Sequence, residues 1–403
     1  MVHFRFRTST EKNHRPQDTP YKQQRLKAWK CVVTTWPSNV RGLTLDGLCP
    51  PLLMLKVLTA NQVRQIRIDY TTCHELDSFD ALEAMPAENV HRRFKASSAG
   101  QPVDQWKRSN RMLTFDGIEN NYTLCTIEFF LPEDLQPPVY FHYHLTNFLQ
   151  NHREYINSRH SEQLAGRNVS LNAIQSSDCG PLKTLRLTDD ETDRIIYPCG
   201  MIANSYFNDT FEYPLRISAG SDTNRTHAYN MSRAGIANPQ DKALYQPSTY
   251  RVPSIQSGNK SIIVPPPGWA SRFPNGYHSG NMFDPAEDES FMVWMRTSAG
   301  SQFSKLVMQN HKDAMERGMY RLEVFTHFPA QAHAGTKSLI ISTSSSIGHG
   351  NAFVGSAFVG LGSCSLLLAL LSALTLRYRP RRLADHDYIY NSDMRLHYQR
   401  SNL

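Results

Sequence analysis

The sequence predicts a membrane protein. Its bulk is a mainly antiparallel β ectodomain, sandwich-like and with a few helices, set between an expected N-terminal span and a clear C-terminal transmembrane helix. Three observations predict this. Residues 352–376 run for 25 residues without a charge or a proline; at about 1.5 Å per residue, that length covers a ~30 Å hydrocarbon core. Short alternating segments bounded by Gly, Pro and Asn turns fill the middle of the chain. Six N-x-S/T sequons and four cysteines fall in the same region, which suits a compartment outside the cytosol.

In chain order, residues 1–30 form a basic tail, polar throughout its first 20 residues, with YKQQRLKAWK able to form a basic amphipathic turn or two. Of the net charge of +7, this tail carries +6 and residues 377–403 carry +3, leaving −2 for everything between. The basicity therefore belongs to cytosolic tails beside anionic lipid, and a nucleic-acid-binding face is excluded. No apolar run follows the charged start as a signal peptide requires. A first span is then needed at residues 31–60, yet that stretch holds Arg41, Asp46, Pro50, Pro51 and Lys56.

Residues 61–351 read as the glycosylated, β-rich ectodomain. Strands are expected at residues 62–72, 123–131, 139–145, 251–264, 291–295, 320–328 and 337–344 from alternation or short apolar runs. Residues 74–110 read as polar loop, and residues 147–159 and 305–317 as helices. Pro265–Gly268 is a hard break, and Asn275-Gly276 is a turn. The sequons lie at Asn121, Asn168, Asn208, Asn224, Asn230 and Asn259. Cys73, Cys125, Cys179 and Cys199 allow three pairings, of which Cys73–Cys125 with Cys179–Cys199 closes the shortest loops. Residues 352–376 form the span. Arg377, Arg379, Arg381 and Arg382 follow it and place the C-terminal tail, 377–403, in the cytosol.

Catalytic patterns are sparse. His142 and His144 have a spacing seen in metal sites, but no third ligand completes a set, so a structural role is expected. Glu287, Asp288 and Glu289 read as a solvated acidic loop. There is no nucleophile elbow, Walker A motif, dinucleotide fingerprint or DKTG phosphorylation motif. Neither a cofactor nor a metal is expected. Within the span, Ser356 and Gly360 have the small-xxx-small spacing that lets helix backbones approach in lipid.

Several motifs agree with one family. YKQQRL-x-AW (Tyr21–Trp29), IDYTTC (Ile68–Cys73), LTNFLQNHREY (Leu145–Tyr155), YPCGMIANSYFNDTF (Tyr197–Phe211), FMVWMRTSA (Phe291–Ala299) and GTKSLIIST (Gly335–Thr343) occur in order. The chain resembles the ligand-effect modulator / cell cycle control protein 50 family, the non-catalytic β-subunits of type IV P-type ATPases, the phospholipid flippases. The resemblance implies two spans, cytosolic termini and a β-rich luminal ectodomain. It implies an ATPase partner that does the chemistry on membrane phospholipids and depends on this subunit to leave the endoplasmic reticulum. Cys179 and Cys199 match a family disulfide, while the Cys73–Cys125 pairing stays open. Asn147, Arg153, Trp294 and Arg296 lie in family motifs and, with Ser356 and Gly360, are candidate partner contacts. At residues 31–60 the family has a hydrophobic span. Here the length is kept and the composition is not, which suggests a local reading-frame change.

Two other functions compete. One is a single-span receptor or lectin-like binder whose residues 31–60 are not a span. The other is an ectoenzyme, for which the sequence offers no convergent carboxylates or nucleophile.

Overall fold

The computed structural model describes residues 63–343, apart from 78, 96–99, 101, 187–191, 218–226 and 254–260, together with residues 352–378. The expectations for residues 1–60 and for the C-terminal tail from 379 onward, and the sequons Asn224 and Asn259, lie outside the described residues. The chain divides into a β-rich unit over residues 58–352 and a second unit that contains the C-terminal helix.

In chain order the strands are β1 (Gln65–Asp69), β2 (Glu83–Ala84), β3 (Val90–Arg93), β4 (Gln105–Phe115), β5 (Ile118–Leu131), β6 (Val139–Leu145), β7 (Thr184–Arg186), β8 (Asp193–Ile196), β9 (Thr210–Phe211), β10 (Leu215–Ile217), β11 (His227–Ala228), β12 (Ile263–Val264), β13 (Phe303–Asn310), β14 (Gly318–Phe325) and β15 (Lys337–Thr343). The helices are α1 (Arg153–Asn157), α2 (Ser161–Leu164), α3 (Leu171–Gln175), α4 (Met201–Asn204), α5 (Pro239–Lys242), α6 (Glu289–Met295) and α7 (Ala352–Tyr378).

The fold is mainly antiparallel β. One sheet has the order β13-β6-β15-β1-β3. A second has the order β11-β10-β14-β5-β4-β2, with β9 also paired to β14. A small third sheet, β12-β8-β7, contains a parallel pair, β12 with β8. Alternation explains the inner faces. Ile66 and Ile68 of β1, Phe141 and Tyr143 of β6, and Leu339 and Ile341 of β15 are buried, and they share one apolar core with Ile127, Phe129 and Leu322 of the second sheet. The disulfide Cys73–Cys125 joins the turn after β1 to β5, and Cys179–Cys199 closes a second loop. Each loop closure contributes about 3–4 kcal/mol by restricting the unfolded chain.

The strands expected at 62–72, 139–145, 320–328 and 337–344 are present as β1, β6, β14 and β15. Others need correction. Residues 74–110 hold β2, β3 and the start of β4; polar β4 forms a long hairpin with β5 that carries little apolar surface at its tip. FMVWM is helical, because the Asp288 side chain caps the helix by accepting from Phe291 N at 2.9 Å. Lys305–Arg317 is not helical, since its first half is β13, paired along β6. The helix at 147–159 shrinks to the five residues of α1, and among the described residues of 251–264 only β12 is a strand.

Helix α7 covers 27 residues. Its residues 352–359 are described as backbone alone, and among the fully described residues no helix is long and apolar enough to cross a membrane.

Candidate functional site

The longest motif blocks come from separate elements and meet at one node. Phe148, in the first block, packs its ring against Tyr155, Trp294, Phe303 and Phe328, with centroids 5.6–6.3 Å away. The indole of Trp294 donates to Ile202 O at 2.8 Å, and that of Trp269 donates to Ala203 O at 2.9 Å. Both indoles thereby hold α4, which lies in the PCG-x-IANS block. Gln150 is fully buried and accepts from Ser298 N at 2.9 Å.

The partner-contact candidates separate in this setting. Trp294 is 0% exposed. It is a core residue and cannot meet a partner at the surface, a correction that follows from its position on the buried helix α6. Asn147, Arg153 and Arg296 are exposed. Asn147 adopts the left-handed conformation (φ +54°), which asparagine tolerates, and donates to His333 O at 2.6 Å. Arg296 Nη1 lies 3.5 Å from Asp241. Gly360 is exposed on α7, and a Cβ built there meets nothing within 4 Å. The side chain of Ser356 lies outside the described residues.

Beneath the node sits a charged clasp. Asp209 and Lys337 form an ion pair at 2.8 Å with side chains 0% and 5% exposed. Asp209 Oδ1 accepts from the backbone N of His327 and of Phe328, both at 2.6 Å, and Oδ2 accepts from Tyr70 OH at 3.0 Å. Lys337 also donates to Phe328 O at 3.0 Å. Burial, and then the Asp209 carboxylate, push the Tyr70 phenol well above its ordinary value. The clasp ties β1 and β15 to the segment between β14 and β15. Sequence reasoning passed over both residues, although a lone charge inside each of two apolar motifs, FNDTF and GTKSLIIST, was a signal.

A cavity of about 390 Å³ opens beside it, lined by residues that include Tyr206, Asn208, Trp269 and Arg272. Asn208 is half-buried in this wall, whereas Asn121, Asn168 and Asn230 are exposed. Of the acidic run expected as solvated loop, Glu287 is exposed, whereas the other two carboxylates are engaged. Asp288 caps α6, and Glu289 pairs with Lys242 at 2.5 Å and accepts from Gly235 N and Ala237 N at 3.0 Å. Burial pushes Glu289 up, but these hydrogen bonds outweigh it and hold the carboxyl below its ordinary value. Burial depresses the Lys305 amine to about 8, where it donates to carbonyls at the end of α6. Among the described residues no group of three or more His, Cys, Asp or Glu is placed to hold a metal ion.

The chain is similar to proteins of one kind along nearly its whole length. It is 35% identical over 386 residues to the phospholipid-transporting ATPase accessory subunit CDC50 of Chaetomium thermophilum, covering 93% of this chain and 91% of that protein. It is 35% identical over 389 residues to the phospholipid-transporting ATPase accessory subunit CRF1 of Saccharomyces cerevisiae, covering 96% and 91%. It is 29% identical over 383 residues to mouse cell cycle control protein 50A, covering 91% of each. The matching family model begins at residue 56, beyond most of the atypical stretch, and runs to residue 382. With that match spanning both disulfides, the aromatic node and the buried clasp, the chain belongs to the LEM3 (ligand-effect modulator 3) / CDC50 family.

Proposed function

We propose that this chain is the accessory β-subunit of a phospholipid-translocating type IV P-type ATPase. In this reading it supports the pump's folding, its exit from the endoplasmic reticulum, and its movement of phospholipids to the cytosolic leaflet. One observation carries the reading: relatives aligned over more than nine-tenths of the chain are named as accessory subunits of phospholipid-transporting ATPases. The chain itself is read as non-catalytic, and the ATP chemistry belongs to the partner.

The organisation proposed with it is a cytosolic tail at 1–30, a first span at 31–60, a luminal or extracellular domain at 61–351, a second span at 352–376 and a cytosolic tail at 377–403. Counting the uncharged residues 352–359, α7 reaches ~37 Å before Arg377, enough for a hydrocarbon core. Asn121, Asn168 and Asn230 are exposed, so each is accessible to glycosylation. Asn208, Asn224 and Asn259 complete the proposed set. Residence in the endoplasmic reticulum, Golgi, endosome or plasma membrane follows from the same reading.

The test is affinity purification of the full chain in mild detergent, with co-purifying proteins identified by mass spectrometry. A P-type ATPase catalytic subunit is expected at near-stoichiometric yield, and its absence rejects the proposal. The same assay tests the helix. Gly360→Leu is expected to lower ATPase recovery by filling the open face of α7; undiminished recovery removes this face from the contact.

A further inference from the structure

Asn208 is the exception among the described sequons. Asn121, Asn168 and Asn230 are exposed, whereas Asn208 is half-buried in the wall of the cavity of about 390 Å³. Its position is fixed from both sides. The Phe207 ring stacks on Tyr143 with centroids 3.8 Å apart. Asp209 is locked in the clasp by the N–H groups of His327 and Phe328, both at 2.6 Å, and by Lys337 at 2.8 Å. With both neighbours anchored in the core, Asn208 cannot swing away from the cavity. Among the described residues none holds its side-chain amide by a hydrogen bond.

The cavity has the make-up of a saccharide seat. Ring surface comes from Tyr206 and Trp269, whose centroids are 5.9 Å apart with planes inclined at 55°. Polar groups stand beside it. The Arg272 guanidinium lies 6.0 Å from the centre of the Trp269 ring, and Asp288 accepts from Tyr206 OH at 3.3 Å. A sugar ring uses both, an apolar surface to stack on and polar groups for its hydroxyls and amide. A neighbouring cavity of about 730 Å³ shares Arg233, Arg272, Asp288 and Ser290 with the first. Both arginines are exposed, so the two cavities adjoin at a wall that reaches the surface.

We propose that this cavity seats the first N-acetylglucosamine of an N-glycan on Asn208, and that the seated sugar becomes part of the packing of the β-rich unit. The inference rests on the luminal placement in the reading above and adds where one glycan goes and what it does there. The chain itself sets the occupant. The sequon residue forms the wall, so a sugar bonded to its amide has the cavity as its nearest space. Glycans on Asn121, Asn168 and Asn230 start from exposed residues and stand in solvent.

Attachment precedes folding. In the unfolded chain the Asn208 amide nitrogen bonds to the anomeric carbon of a lipid-linked oligosaccharide. The lipid pyrophosphate leaves with the electron pair of the broken bond, and the amide gives up one proton. Half-burial in the folded chain does not block this step, because the sequon is open before β9 forms. Thr210 and Phe211 of β9 then pair with β14 and close the site around the sugar. Cutting the sugar from the folded protein needs the reverse opening, so release follows the population of the opened site.

The experiment uses the full chain, made in a eukaryotic secretory host, purified in mild detergent and treated with peptide-N-glycosidase before and after denaturation. The enzyme converts each glycosylated Asn to Asp, so mass spectrometry reads every site separately. Glycans at Asn121, Asn168 and Asn230 are expected to leave the native protein readily, and the one at Asn208 about tenfold more slowly until the fold is opened. Thr210→Ala removes the sequon, keeps Asn208 and changes an exposed position. It is expected to lower the unfolding midpoint by about 2–4 °C, and Thr210→Ser, which keeps the sequon, is expected to match the wild type. The wild-type release rates decide the matter even where Thr210→Ala fails to fold. Three results each overturn the seat while leaving the accessory role intact: release at Asn208 as fast as at the exposed sites, an equal loss in both Thr210 variants, or a bare Asn208 while the exposed sites carry sugar. Sugar at none of the sites overturns the luminal placement itself.

Discussion

Asp209→Ala is expected to lower the unfolding midpoint by about 10 °C, from a loss of 3–5 kcal/mol. The substitution strands the Lys337 ammonium at 5% exposure with no counter-charge. It also removes the acceptor of two backbone N–H groups, those of His327 and Phe328, and of the Tyr70 hydroxyl. Total stability of a domain is only about 5–15 kcal/mol, so the loss is large enough to leave the chain in the endoplasmic reticulum. The variant keeps the Asn208-x-Thr210 sequon, because the middle position tolerates any residue but proline; a change in glycosylation therefore does not confound the result. Lys337→Met is expected to cost less, since Asp209 keeps its two backbone donors and Tyr70. The double variant Asp209→Ala with Lys337→Met is expected to be more stable than the sum of the single losses, because neither leaves the other buried and unpaired. Thermal unfolding of the four purified proteins measures the cycle. Additive single and double losses would show that the pair does not act as a unit.

What the sequence revealed depended on whether the deciding interaction was local. β6 and β15 are short runs rich in aromatic and branched residues, and their bounds were readable nearly to the residue, although β15 is buried at all seven positions. FMVWM has no period to read: Phe291, Met292, Trp294 and Met295 are all buried. Its helix is set by the Asp288 cap just upstream, in a run whose charges suggested solvent. Lys305–Asn310 shows a mixed pattern that its pairing to β6 resolves into a strand, a choice made by residues more than 150 positions earlier. The clasp is non-local in the same way: Asp209 and Lys337 are 128 residues apart. Trp294 looked like an anchor for a partner because motif membership cannot separate a buried aromatic from an exposed one.

Gly200→Ala is expected to cost about 3 kcal/mol or more, and Gly276→Ala about 1 kcal/mol. Both glycines have positive φ, +104° and +74°. Both substitutions therefore incur the penalty of a Cβ in that conformation. They differ in what surrounds them. A Cβ on Gly276 meets nothing within 4 Å, whereas one on Gly200 falls 2.0 Å from Ser158 O and 2.6 Å from Ser158 C. Those are backbone atoms and cannot swing aside. Ser158 is itself fixed, because its hydroxyl accepts from Met201 N at 2.8 Å and donates to Gly180 O at 2.9 Å. Gly200 N in turn donates to Leu182 O at 3.0 Å. Relieving the clash must part the turn that carries Cys199 from the segment that carries Ser158. That movement disturbs α4, which Trp269 and Trp294 both hold through their indole donors. Denaturant midpoints of the two variants isolate the contact from the backbone conformation, and equal destabilisation at the two positions would refute the steric account. The same measurement explains why the Pro-Cys-Gly run reads so strongly in the sequence. At Gly200 the left-handed backbone and the approach of Ser158 each exclude a side chain, so two independent constraints converge on one residue type.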